Sequence, residues 1–373
     1  MTTPASALRD LLPGIGDRER ADPETYPEAS IRALYEAGIV AGPFPEHLGG
    51  SAMDLAEAVT TIETLATASP SCALIAAMPL GLALVLALGP DAAPEMHRDS
   101  CASQLERIAA DYRQRRVYAA CNSEKGAGGS LAATRTVATR SPAGAPFELS
   151  GEKILASAGR FASVFFSTAK VSQEDLAGAG VVEFFLVDAS APGVEVLDDW
   201  DGFGMRATES HTVRYTGAPS REIVGFPDFI ERVQPLQTWF CLFAAIPLGC
   251  ARAILRATGT PTPQSPALRL RLAEATMRFE AMRAYLLETA RAFRPSAGPG
   301  YAARALRTKT YVAQEATKLC AELFALSGGR NYRRESPVAR ALADSFAGTS
   351  LRPPLALALD GLVEQFSVAD LAD

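Results

Sequence analysis

The feature that most constrains the fold is a double change of pattern along the chain. From about Pro27 to Arg116 the sequence is Ala/Leu-rich with few β-branched runs, which favours helices. From Val117 to about Gly225 short β-branched or aromatic runs take over, among them Val164-Phe165-Phe166, Val181 to Val187 and His211 to Tyr215. Turn signals bound them at Ser141 to Gly144, Ala191 to Gly193 and Gly217 to Pro219. After Pro227 helical spacing returns: Leu272, Ala275, Phe279, Met282, Leu286, Ala290 and Phe293 form one amphipathic stripe. A second segment, Tyr301 to Leu326, stops at Ser327-Gly328-Gly329, a C-cap signal. The pattern predicts an α+β protein with a helical domain over 1–116, a β-domain over 117–226 and a helical domain over 227–373.

With 373 residues, 48% of them hydrophobic, the chain can bury a large core. Its 36 basic and 42 acidic residues leave a net charge of −6, which argues against nucleic acid as partner. Cys72 to Leu88 is uncharged and apolar, but it is short for a membrane span and contains Pro79 and Gly81. A fully buried core helix is expected there, and no membrane association. The N-terminus lacks the basic and apolar regions of a signal peptide. Six scattered cysteines without a CxxC pair suit a reducing, cytoplasmic setting.

Pro43 to Gly50 reads as a rigid loop interrupting the first helices. His47, His97 and His211 are far apart, so no metal site is expected. No G-x-S-x-G elbow supports a serine hydrolase. Ser123-Glu124-Lys125-Gly126-Ala127-Gly128-Gly129-Ser130 follows a predicted strand and exposes N–H groups and hydroxyls suited to a nucleotide cofactor. It is neither a Walker loop nor a G-x-G-x-x-G fingerprint, and by itself it reads equally as a surface turn.

Taken in order, Phe44 to Gly50, Ser123 to Ser130, Leu149 to Ile154 with Ser157-Ala158-Gly159, Gly202 to His211, and Arg330 to Ser350 form a series. It resembles the acyl-CoA dehydrogenase family over nearly the whole chain. The resemblance implies an N-terminal helical domain, a middle β-barrel-like domain and a C-terminal four-helix bundle. It implies an FAD-dependent enzyme, with FAD bound weakly or replaced by FMN or reduced flavin from a partner reductase. Ser123 then matches the hydroxyl residue lying against the flavin ring, with Gly128, Gly129 and Ser130 in the same loop. Ser157 matches the hydroxyl facing flavin N5, and Leu155 replaces an aromatic residue. Gly328 and Gly329 match a Gly-Gly that contacts a neighbouring subunit's FAD, and Thr349 matches the threonine of the terminal E-G-T segment. A homodimer or homotetramer is implied.

The family removes an α-proton with a carboxylate, and that base is missing. Ala347 stands at the usual position before Gly348-Thr349, and Trp239 stands at the alternative position in the first bundle helix. The Arg-x-x-Phe-Gly element that grips FAD across subunits has no counterpart in Thr258 to Pro266. Leu351 replaces the polar residue usual after Gly-Thr-Ser. Pro353-Pro354 and Thr208 to Val213 resemble a subset that grades into two-component flavin monooxygenases. Three readings follow. The first is an acyl-thioester oxidoreductase with a relocated base, drawn from Glu124, Glu209, His211 or Asp344, of which Glu124 and Asp344 are expected in structural salt bridges. The second is a monooxygenase with Ser157, Ser210 and His211 beside oxygen and substrate. The third is a non-catalytic partner of a hetero-oligomer.

Overall fold

The computed structural model describes residues 4–127, 130–131, 133–140, 145–175, 181–294 and 298–365. Its N-terminal part holds α1 (Pro4–Ala21), α2 (Glu28–Glu36), α3 (Leu55–Ala66), α4 (Pro70–Ala87), the short α5 (Gly89–Ala92) and α6 (Arg98–Arg113). Helices thus begin earlier than the reading from Pro27. In α1, Pro13, two glycines and the charged residues break up the apolar spacing, and only Leu8, Ile15 and Gly16 are buried. Side chains fix the starts of the next helices. A capping box joins Asp54 and Glu57 at α3, and Ser69 Oγ accepts the Cys72 N–H (3.1 Å) ahead of Pro70 at α4.

Every residue of α4 from Pro70 to Leu86 is buried, as a helix apolar on all sides requires. Pro79 lies inside it, and its carbonyl accepts the Tyr112 hydroxyl from α6 (2.8 Å). The β-rich part contains β1 (Tyr118–Cys121), β2 (Val137–Thr139), β3 (Glu148–Ala156), β4 (Val164–Val171), β5 (Val182–Asp188), β6 (Val194–Val196), β7 (His211–Pro219) and β8 (Glu222–Ile223). They form one curled sheet in the order β6-β7-β3-β2-β4-β5-β8. β1 and β2 share one edge of β4, both parallel to it: β1 pairs with Val164 to Ser167, β2 with Lys170 and Val171. β4 is buried continuously from Val164 to Ala169, as a strand covered on both faces must be.

After α7 (Phe229–Val233), the bundle is built from α8 (Leu236–Gly259), α9 (Pro266–Arg291), α10 (Gly298–Leu326) and the segment α11 (Pro337–Ser345), α12 (Ala347–Ser350) and α13 (Leu355–Gln365). α8 is central, packing on α3, α4, α9, α10 and α11. The expected stripe lies on α9, except that Phe293 falls just past its end and packs on the core from the loop. α4 and α8 are long and apolar enough to cross a membrane, but 94% and 78% of their apolar windows are buried within the protein. All six cysteines are buried and unpaired.

Candidate active site

A cavity of about 260 Å³ opens between the curled sheet, α4, α8 and the α11–α12 corner. Leu74 and Met78 of α4 and Leu236, Trp239 and Phe243 of α8 form its apolar wall. Ala120, Asn122, Ser123 and Phe184 come from the sheet side. Trp239 stacks on Phe166 of β4 (centroids 5.7 Å apart) and donates its indole N–H to the Ala77 carbonyl (3.2 Å). Its only polar atom is therefore spent on the helix beside it. Ala347 faces the same space from α12. Both expected base positions thus line the cavity, and neither side chain can accept a proton.

The serines meet because of strand register. Ala156 of β3 pairs with His211 of β7, so Ser157 and Ser210 face each other one step beyond the last rung. Their hydroxyls are 3.0 Å apart, and Ser210 is 2.6 Å from the Thr208 hydroxyl. Thr208 donates to the Met205 carbonyl (2.8 Å). Each hydroxyl has one proton, so the order is forced: Thr208 donates to Met205, Ser210 to Thr208, and Ser157 to Ser210. Ser157 therefore turns lone pairs toward the cavity it lines.

The neighbours of Ser210 do something else. His211 and Glu209 do not line the cavity. His211 Nδ1 accepts the backbone N–H groups of Asp199 and Trp200, both at 3.1 Å, and Nε2 lies 2.8 Å from Glu209. With Nδ1 occupied as acceptor, the proton of the neutral ring sits on Nε2. Glu209 also pairs with Arg160 (2.7 Å). Both side chains hold the 199–211 loop together, away from the cavity surface.

Glu124 is the expected structural carboxylate. It pairs with Lys153 at 2.6 Å and accepts from the Arg135 and Thr136 amides and the Thr136 hydroxyl. Neither side chain of the pair touches solvent appreciably. Asp344 departs from expectation, because it makes no ion pair among the described residues. It accepts the Met205 N–H (2.6 Å), and burial pushes its carboxyl up to about 7, the amide pulling the other way. Gly204 packs beside it: a β-carbon there would lie 2.5 Å from the Ala343 carbonyl oxygen. Asp344 and Gly204 thus press the 202–206 loop, which carries cavity-lining Phe203 and Met205, onto α11.

Of the remaining expected cofactor residues, Ser123 alone among the described ones lines the cavity. Gly128 and Gly129 are outside the described residues. Ser130 is exposed, and its N–H donates to the Ala127 carbonyl (3.0 Å). Thr349 turns its hydroxyl back onto Phe346 (2.9 Å), and Gly328 and Gly329 open to free space beyond α10. Ser123 lines the cavity, and its carbonyl accepts the Ile154 N–H (2.8 Å). Sequence reasoning missed Asn122, Trp200, Phe203 and Arg352. The visible trace of Arg352 was a lone cation in the apolar run Leu351-Arg352-Pro353-Pro354.

Comparison with known proteins agrees with this architecture throughout. The models of the acyl-CoA dehydrogenase N-terminal, middle and C-terminal domains match residues 7–96, 119–218 and 241–351. A probable acyl-CoA dehydrogenase of Bacillus subtilis, YngJ, is 23% identical over 336 residues, covering 86% of this chain and 84% of that protein. L-evernosamine nitrososynthase of a Micromonospora species is 30% identical over 229 residues, 59% of this chain and 51% of that protein. The structure of KijD3 in complex with FMN and a dTDP-linked amino-keto sugar superposes with a TM-score of 0.85 at 23% identity, covering 98% of this chain and 94% of that one. With all three domain models matched in order, the chain belongs to the acyl-CoA dehydrogenase family.

Proposed function

We propose that the protein is a flavin-dependent oxidoreductase that oxygenates a small molecule with reduced flavin and O2, rather than dehydrogenating an acyl thioester. One observation carries this reading: among the described residues lining the cavity, the only ionisable side chain is Arg352, a cation. Removing the α-proton of a thioester needs a carboxylate or similar base within reach of the substrate. The cavity supplies none, and the relocated-base candidates Glu124, Glu209, His211 and Asp344 all lie off its surface.

The lining fits a flat heteroaromatic ring. Ser123 and Ser157 offer polar contacts on the sheet side, and Leu155 and Trp200 offer apolar surface. Ser123, Ser130, Ser157 and the Gly128-Gly129 pair would hold the flavin, with Thr349 and a neighbouring copy's Gly328-Gly329. When bound, the flavin would supply the electrons and the site of oxygen activation. Ser157 turns an acceptor toward it, which complements a ring N–H such as reduced flavin carries at N5. Aromatic and aliphatic walls keep water from the reacting centre. The retained ring-side serines weigh against a non-catalytic subunit. The relatives named nitrososynthase and KijD3, the latter solved with FMN, are consistent with FMN from a partner reductase as well as FAD.

The test needs no knowledge of the substrate. Oxidised protein loaded with flavin should stay yellow when mixed anaerobically with acyl-CoAs of several chain lengths. Reoxidation of reduced FMN by O2 should become slower and multiphasic when the protein is added. Anaerobic bleaching by an acyl-CoA would return the assignment to dehydrogenation.

A further inference from the structure

The 202–211 loop reaches the cavity with a backbone that its own residues disfavour. Met205 and Glu209 both adopt the left-handed conformation (φ 54° and 50°), which a β-carbon resists, on either side of the short turn Arg206–Thr208. The restraint comes from outside the loop. Buried Asp344 of α11 accepts the Met205 N–H (2.6 Å), and Gly204 packs without a side chain against the Ala343 carbonyl. Trp200 ties down the next peptide, its indole N–H donating to the Arg206 carbonyl (3.0 Å), but leaves the Met205 N–H to Asp344. So held, the Met205 carbonyl faces Thr208 and accepts both its N–H (3.1 Å) and its hydroxyl (2.8 Å). Thr208 is sealed from solvent, so no water replaces these partners. From Thr208 two links run on to Ser157. One is the hydroxyl chain through Ser210, with steps of 2.6 and 3.0 Å. The other is backbone: the Ala158 N–H donates to the Thr208 carbonyl (2.7 Å) and the Gly159 N–H to the Glu209 carbonyl (2.9 Å).

We propose that Asp344 is a positioning residue for the flavin edge: by locking Met205 from behind, it sets the direction of the hydroxyl chain and fixes Ser157 as a hydrogen-bond acceptor. This rests on the reading of the cavity as a flavin site with Ser157 beside N5. The direction follows from counting protons. While the Met205 carbonyl faces Thr208, the Thr208 hydroxyl donates to it, Ser210 to Thr208 and Ser157 to Ser210. With that carbonyl turned away, the chain is free to run backwards: Thr208 donates to Ser210, Ser210 to Ser157, and Ser157 into the cavity. The two directions suit different flavins. N5 of a reduced flavin carries a hydrogen, whereas N5 of an oxidised flavin is a bare acceptor. An acceptor at Ser157 therefore favours the reduced form, and a donor there favours the oxidised form. Asp344 lies off the cavity surface, so it acts through Met205 and Thr208 and not on the ring.

The ratio of the dissociation constants for oxidised and reduced FMN, both titrated anaerobically, reads this polarity. Wild type should bind reduced FMN more tightly, and Ser157→Ala should lower that preference about two- to tenfold, the scale of one hydrogen bond. Asp344→Ala should lower it to the same extent, with no further loss in the Ser157→Ala background. Asp344→Asn should keep it, because the amide removes the charge but retains an acceptor for the Met205 N–H. Thr208→Val breaks the chain one link further on with the lock intact, and should also lower the preference. It carries the test if Asp344→Ala does not fold. Equal weakening of both FMN forms in Asp344→Ala, with the ratio unchanged, would assign a purely structural role and overturn the proposal. An unchanged ratio in Thr208→Val, or a loss in Asp344→Asn as large as in Asp344→Ala, would overturn it as well. If Ser157→Ala keeps the wild-type ratio, the flavin reading itself fails and takes the inference with it, a result distinct from the others.

Discussion

Gly81 on α4 and Trp239 on α8 occupy complementary space: a β-carbon on Gly81 would lie 2.3 Å from the indole nitrogen of Trp239. The missing side chain on one helix is what lets the indole lie between the helices, stacked on Phe166 and forming one wall of the cavity. A position that could hold a base instead holds a packed aromatic.

Gly81→Ala should therefore destabilise the fold, although alanine is the better helix former by about 1 kcal/mol. Displacing a buried indole costs about 1–3 kcal/mol, and the net effect should be a loss. Denaturant melts measure it, and a shift in tryptophan emission should accompany it. A more stable variant with unchanged emission would show that the indole has room to spare.

Breaking the Lys153–Glu124 pair should be far costlier than removing it. Lys153→Met leaves a buried carboxylate with only its amide and hydroxyl donors, and should cost about 3–5 kcal/mol. Adding Glu124→Gln to it should recover a large part of that loss. A double-mutant cycle in which the two losses simply add would refute the pairing as the source of the effect.

Asp344 gives the protein a pH dependence of unusual sign. Its carboxyl is raised to about 7 in the fold from an unfolded value near about 4. The folded state then holds more protons between those limits, so this group's stabilisation is complete below about pH 4 and is lost as pH rises through about 7. Glu19 of α1 adds to the upward push and Arg340 opposes it. Asp344→Asn keeps an acceptor for the Met205 amide but removes the titration. It should match wild type near pH 4 and exceed it by a few kcal/mol at pH 8. Chemical denaturation at the two pH values checks this, and a wild-type advantage at pH 8 would contradict it.

Ser210 and His211, adjacent in sequence, should separate cleanly. Ser210→Ala removes the acceptor of Ser157, so it should alter the reoxidation of reduced FMN while costing only about 1 kcal/mol. His211→Ala strands the Asp199 and Trp200 amides and should cost on the order of 1–3 kcal/mol per group in stability. The ratio of reoxidation rate to thermal stability, measured on both variants, distinguishes the two roles. An unaltered rate in Ser210→Ala would remove the hydroxyl chain from the chemistry.

Much of this was legible beforehand. Periodicity placed β4, β5, β7, α4, α9 and α10, because each has a run long enough for its apolar spacing to show. α1 escaped because glycine, proline and charge dilute its spacing over few buried positions. The lost base was also a sequence-level fact, since Ala347 and Trp239 carry no proton acceptor in any conformation. The site's other members were not legible.

Local sequence offered Glu209, Ser210 and His211 as equals. Only the pairing of β3 with β7 turned Ser210 toward Ser157 and folded the other two into the loop. Likewise, Arg352 reaches a carbonyl 230 positions away, and Asp344 an amide 139 away. The sequence by itself determined which elements form and which chemistry is missing, because those depend on residue type and short-range spacing. The tertiary structure decided which polar groups share the cavity and which are tied up away from it, because burial and pairing arise only when distant segments pack.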